Sequence, residues 1–120
     1  VSGESDKLFV EANIYYQGSY SAVIQANVEA AITNYLTSIP FDGAVLLSNL
    51  ELAIKAVEGV NDAVFTNVKA RPDATPLVSA ISLVTGSTLI QRRYPTQAGY
   101  IIPETTSGST LADTLTYIPE

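Results

Sequence analysis

Carboxylates are the one ionisable group this sequence holds in quantity. Glu11, Glu29, Asp42, Glu51, Glu58, Asp62, Asp73, Glu104 and Asp113 stand among its twelve acids. Two carboxyl groups about 5 to 10 Å apart in unlike surroundings could divide the roles of general acid and general base. No spacing marks any two of these as such a pair, and most fall beside turns or on polar helix faces. They read as solvated surface acids. Asp42-Gly43 and Asp62 stand alone and lack the close alternation of oxygen ligands in a calcium loop. Gly86-Ser87-Thr88 and Gly108-Ser109-Thr110 lack the glycine and lysine pattern of a phosphate-binding loop. With no His and no Cys, the chain cannot build a Cys/His zinc site, a disulfide or a Ser–His or Cys–His nucleophile pair. The expectation is no catalytic residue, no metal and no cofactor.

Two other residue types bear on recognition rather than catalysis. Arg92-Arg93 is the only basic pair, and in a strand its side chains would point to opposite faces. Seven tyrosines are present, and Tyr15, Tyr16, Tyr20, Tyr94, Tyr100 and Tyr117 fall in strands or near turns. Tyrosine joins a large apolar body to a polar tip and suits either a core or an interface.

A chain of 120 residues can bury a core, hiding roughly two-thirds of the surface it exposes when unfolded. Hydrophobic residues make up 47% and charged ones 15%, with a net charge of −6. That balance argues against nucleic acid, whose binding is driven by cations. The longest uncharged stretch, Ala74 to Gln91, contains Pro76 and Gly86 and so does not read as a membrane span. No Met is present, so Val1 is expected to open a fragment of a larger or processed chain.

The elements that must position these residues are clear in the front half and faint in the back. Residues 1–7 are small and polar and read as a disordered end or linker remnant. Leu8 to Gln17 reads as a strand with Leu8, Val10, Ala12, Ile14 and Tyr16 on its core face. A helix is expected from Ser21 to Ile39, where Ile24, Val28, Ala31, Tyr35 and Ile39 form a stripe that Pro40 ends. Ala44 to Leu47 reads as a short strand. Ser48 and Glu51 have the spacing of a capping box, with Leu47 and Leu52 as its hydrophobic staple. The helix that follows should stop at Gly59 in a left-handed conformation.

Ala63 to Ala70 alternates as a strand, with Val64, Thr66, Val68 and Ala70 on one side. Leu77 to Val84 fits either a helix or a buried strand. Thr88 to Tyr94, Gly99 to Ile102 and Leu115 to Ile118 read as strands, and Thr105 to Thr110 as a loop. The expected fold is α+β: two adjacent helices packed on one face of a small mixed or antiparallel sheet, as a single domain over residues 8–120.

The run from Ser21 to Arg71 resembles the carboxy-terminal part of baseplate J-like proteins, wedge components of contractile phage tails and related injection machines. Three pieces carry the resemblance: SAVIQANVEAAITNYLTSIPFDG, AVLLSNLELAIKAVEGV and NDAVFTNVKA. The family has a long helix ending in a Pro-Phe-Gly-like turn, here Pro40-Phe41-Asp42-Gly43, and then a Ser-capped helix, here beginning at Ser48. That helix runs into Gly-Val with an acid shortly after, here Gly59-Val60 and Asp62. The ending RRYPTQAGYIIPE with LTYIP is similar to tails of the same family in phages and prophages.

The resemblance implies a non-catalytic assembly domain of a virion tail, put together in the bacterial host cytoplasm. Its expected partners are copies of itself and other baseplate subunits, with no nucleic acid, membrane or small-molecule substrate. The interface residues expected on this reading are Tyr15, Tyr94 and Tyr100 with Arg92 and Arg93, all taken as exposed. Two other classes stay open. A ligand-binding or carboxylate-based enzyme domain would gather Arg92 or Arg93 with two buried acids in a cleft. A surface adhesion module would have a secretion signal in its gene.

Overall fold

A computed structural model describes residues 6–39, 43–72, 75–96 and 101–120. The turn expected at Pro40-Phe41-Asp42, together with Asp73 and Tyr100, lies outside the described residues. Strand β1 (Asp6–Tyr16) is the axis of the molecule. Its alternation buries Leu8, Val10, Ala12, Ile14 and Tyr16, as the sequence pattern predicts. The strand starts at Asp6, which is itself fully buried. Helix α1 (Ile24–Ser38) lays Ile24, Val28, Ile32 and Leu36 into the same core, one residue per turn.

The remaining elements are β2 (Ala44–Leu46), α2 (Leu47–Lys55), β3 (Val60–Arg71), β4 (Ile81–Thr85), β5 (Thr88–Leu89), β6 (Arg93–Pro95), β7 (Ile101–Pro103), α3 (Leu111–Thr114) and β8 (Leu115–Pro119). Six strands form one mixed sheet in the order β5-β4-β3-β1-β7, with β8 also on β1, while β2 and β6 pair separately. The expected pair of helices on a small sheet is therefore corrected. Strands dominate, with eight of them and three α-helices among the described residues. The reason lies in the back third, where short segments with little periodicity, the local β4–β5 hairpin apart, gain their ladder bonds from distant strands. Leu77–Ser79 forms a 3₁₀ turn and Ile81–Thr85 a strand, which resolves the ambiguous stretch between them.

Both edges of β1 are occupied. Strand β3 runs antiparallel along one side from Lys7 to Tyr16. On the other side β7 pairs parallel with Asp6–Leu8, and β8 pairs parallel with Ala12–Tyr16. The two short strands thus lie end to end along one edge, joined by an excursion through α3. At the join the Glu104 amide donates to the Leu8 carbonyl at 2.9 Å, and the Thr114 hydroxyl donates to the Val10 carbonyl.

A register shift between Glu11 and Ala12 changes the phase of β3. Ala63, Val68 and Ala70 are buried, whereas Val64 is 40% exposed, so the single face expected from alternation does not form. The extra residue in β3 moves the side chains from Phe65 back to Asp62 to the opposite face, until a second shift between Tyr15 and Tyr16 reverses the phase at Val60. Thr66 Oγ1 donates to both the Glu11 carbonyl and its side chain, each at 3.0 Å, and fastens the bulge.

The expected capping box at Ser48 and Glu51 is also corrected. Helix α2 begins one residue earlier, with Leu46 at the cap position and no side-chain cap bond. Tertiary partners take the role. Tyr35 Oη accepts from the Leu46 amide at 3.0 Å, and the Arg92 carbonyl accepts from the Leu47 amide at 2.9 Å. Ser48 falls inside the first turn, and Glu51 turns instead to Lys55, one helical turn on, at 3.0 Å. The staple is absent as well, since Leu52 is 64% exposed while Leu47 is buried. The box that does form joins Thr110 to Asp113 at the start of α3, where the sequence reads as a plain loop. Its T-x-x-D spacing was the available signal.

Gly59 has the expected left-handed backbone, φ +96°, but stands three residues beyond the C-cap Ala56, where the chain turns into β3. A Cβ built there would lie 2.5 Å from Tyr20 Cγ. Gly59→Ala therefore meets both backbone strain and a ring, and should cost about 2–3 kcal/mol in a urea titration. Gly86, φ +55° with nothing within 4 Å of a Cβ, is the control; alanine there should cost about 1 kcal/mol or less. Equal costs at the two sites would show that the Tyr20 ring yields freely.

Candidate interaction surface

A groove of about 680 Å³ runs between α2, the first half of β3 and the β5 hairpin. Its floor is apolar, with Leu47, Phe65 and Val84, and its rim carries Val64 and Leu89, which are 40% and 46% exposed. Lys55 spans the rim, at 3.0 Å from Glu51 and 3.3 Å from Asp62. These two carboxylates raise the Lys55 pKa, Glu51 most. The Ala63 amide, then Lys55, holds the Asp62 carboxyl below its usual range.

Arg92 and Arg93 both line this groove and both are exposed. The opposite-face expectation fails because Arg92 sits in a bend before β6, where strand alternation does not apply. Neither guanidinium has an ion-pair partner among the described residues. The groove thus gathers the arginine pair with two acids, but the acids are not buried: Glu51 and Asp62 side chains are 40% and 54% exposed. A carboxylate pair of unlike pKa needs unlike burial, and these two share one lysine in solvent. Among the described residues no group of three or more acids converges as a metal site would require.

The other residues expected at an interface are scattered. Tyr94 is 1% exposed, and its Oη donates to Asp6 Oδ2 at 2.8 Å. Burial, and then the Asp6 bond, push its phenol pKa up. Tyr94 is therefore corrected from surface to core: its ring ties the β2–β6 pair to the start of β1. Tyr15 is half-buried on the outer face of β1, across from Asp62. Tyr100 lies outside the described residues. Of the expected residues that are described, only Arg92 and Arg93 come together.

A second buried charge escaped sequence reasoning. Arg71 and Glu104 form a two-bond pair, Nε–Oε1 2.9 Å and Nη2–Oε2 2.7 Å, with side chains 10% and 1% exposed. Glu104 Oε2 also accepts from the Thr105 and Thr106 amides at 3.1 Å and from Thr106 Oγ1 at 2.7 Å. Burial by itself would raise the Glu104 carboxyl; Arg71 and Thr106 outweigh it and hold it at about 2. The two residues are thirty-three positions apart, and no local pattern links them.

Comparison with known proteins places this architecture. No curated protein and no solved structure matches the chain. The family model described as the baseplate J-like protein C-terminal domain matches residues 10–84. That span runs from β1 into β4 and contains the whole Ser21 to Arg71 resemblance, the α2 wall of the groove and the half of β3 beside it. Arg92 and Arg93 lie beyond it. With well over half its length matched, the chain belongs to the baseplate J-like protein C-terminal domain family.

Proposed function

We propose that this chain is a non-catalytic assembly domain of a phage or prophage tail baseplate, docking on copies of itself and on other baseplate subunits. The observation that carries the reading is the family match over residues 10–84, which supports a structural role in a phage tail. The chemistry in the chain is consistent with it. The acids of the groove are solvent-exposed and share Lys55, while its two arginines are left to meet another molecule. On this reading Arg92 and Arg93 contact one neighbour, and Tyr15, half-buried on the outer face of β1, offers a separate contact. The domain works in the virion tail, assembled in the host cytoplasm.

The test is made on particles. Tails purified from a lysate of the phage or prophage carrying the gene should contain the parent polypeptide in stoichiometric amount. Chemical cross-linking should join this domain to other baseplate subunits. Deleting the gene should yield tails that lack a complete baseplate. Intact, infectious tails from the deletion strain would end the proposal.

A further inference from the structure

The large sheet has an edge that its own strands leave open. Strand β4 covers β3 only along Val68–Ala70, and the Ser87 amide reaches the Thr66 carbonyl at 2.9 Å. Among the described residues no strand lies beside Val60–Phe65 on the side away from β1. Which backbone groups face that side follows from the ladder. The Glu120 amide donates to the Tyr16 carbonyl at 2.8 Å, so the Tyr16 backbone faces β8. Alternation then turns Tyr15 and Asn13 toward β3, where they meet Asp62 and Val64. The amides and carbonyls of Ala63 and Phe65 are left pointing to the open side. The Ala63 amide donates to Asp62 Oδ1 at 2.8 Å, a local answer to a missing strand.

This edge lies within the groove described above, and the groove has a charge that the rest of the chain does not. The chain carries −6, yet three of its six basic side chains, Lys55, Arg92 and Arg93, line it. Lys55 is shared by Glu51 and Asp62, so the three cations of the groove outweigh its two acids by one charge, and among the described residues neither arginine is in an ion pair. An apolar rim, a backbone edge without a partner strand and exposed guanidinium groups together specify an occupant. It must be extended, to meet the backbone. It must also present apolar side chains on one face and carboxylates toward the arginines.

We propose that the groove receives an extended acidic segment of another baseplate subunit, which adds as a strand along Val60–Phe65. Main-chain bonds to Phe65 and to Ala63, whose amide exchanges Asp62 Oδ1 for a carbonyl of the incoming strand, supply the attachment, and the alternate side chains supply the choice of partner. Carboxylates of the incoming segment pair with Arg92 and Arg93 in charge-assisted bonds. The proposal rests on the assembly role set out above.

Two measurements test it. In the first, the isotope-labelled 120-residue chain is titrated with an end-blocked peptide of alternating glutamate and valine and observed by NMR. Shift changes should centre on Val60–Phe65, Leu89 and Arg93. The same peptide with lysine for glutamate should bind at least about tenfold more weakly, and so should the Arg92→Glu/Arg93→Glu double variant with the glutamate peptide. N-methylation of alternate peptide amides should abolish binding. No binding of the glutamate peptide, equal binding of both peptides, indifference to N-methylation, or shift changes elsewhere would each overturn strand addition.

The second measurement is a density map of the assembled baseplate. A strand of another subunit along Val60–Phe65 supports the proposal. A helix in the groove, a second copy of this domain there, or an empty groove overturns it and leaves the assembly role standing. Absence of the domain from the baseplate overturns both.

Discussion

Glu104→Ala is expected to lower the stability of this domain by about 3–5 kcal/mol, the usual cost of breaking a buried ion pair from one side. Arg71 is 8% exposed as a residue and would keep its charge in a place that water reaches poorly. The Thr105 and Thr106 amides and the Thr106 hydroxyl would lose their acceptor at the same time. Replacing both members, as Arg71→Met with Glu104→Leu, should cost less than Glu104→Ala alone, because no charge is then left unpaired. A single-site cost below about 1 kcal/mol at pH 7 would mean that the pair is solvated and structurally idle.

The same pair fixes an acid limb of stability. Folding holds the Glu104 carboxyl at about 2, against an ordinary value of 4.5. The folded state thus binds its proton later than the unfolded one. The stabilisation is complete above about pH 4.5 and is lost as the pH falls toward 2. At about 1.4 kcal/mol per pH unit the drop corresponds to about 3 kcal/mol, in line with the substitution. Urea midpoints measured from pH 7 down to pH 2.5 should fall steeply below pH 4.5. They should fall less in Glu104→Gln, which has no proton to gain there.

Tyr94→Ala should be nearly as damaging, at about 3–5 kcal/mol, the range for removing a buried aromatic side chain. The ring is 1% exposed and sits among the largest fully buried side chains of the core. In a chain of this size the loss corresponds to a fall in the thermal midpoint of about 10–20 °C. Tyr94→Phe keeps the ring and removes only the donor to Asp6, so it should cost about 1–3 kcal/mol. From sequence Tyr94 is expected to be exposed, and truncating an exposed side chain would leave the midpoint nearly unchanged. A midpoint within about 2 °C of the parent for Tyr94→Ala would return the residue to the surface.

Periodicity carried β1 and α1, and it did so for a physical reason. Each element is long enough for its apolar residues to repeat several times, and each buries that repeat in one core. The Ser21 to Arg71 motifs were legible too, and the family match contains them. The arginine pair stands out in an acidic sequence, but a bend at Arg92 sets both side chains in one groove and not on opposite faces of a strand.

Other features were legible and misread. Ser48 and Glu51 have the spacing of a cap, yet a backbone carbonyl from Arg92 reached the helix start first. The bonds that Tyr35 and Arg92 accept from the Leu46 and Leu47 amides start the helix earlier, so Ser48 lies inside the first turn and is no longer its cap. Thr110 and Asp113 have an equally good spacing and no such competitor, and there the box forms.

By itself the sequence determined the chemical inventory, the two long elements, and a family membership. Without His or Cys it had ruled out whole classes of site before any fold was known. Only the tertiary structure decided how β4 to β8 pair, where Tyr94 goes, and that Arg71 meets Glu104. It also decided that Arg92 and Arg93 share a groove with an unpaired strand edge. The division follows from range. Periodicity and capping act over a few neighbouring residues, whereas strands of three to five residues such as β6, β7 and β8 are held by partners far along the chain. A buried charge is likewise tolerable only beside a counter-charge that the fold, and not the local sequence, delivers.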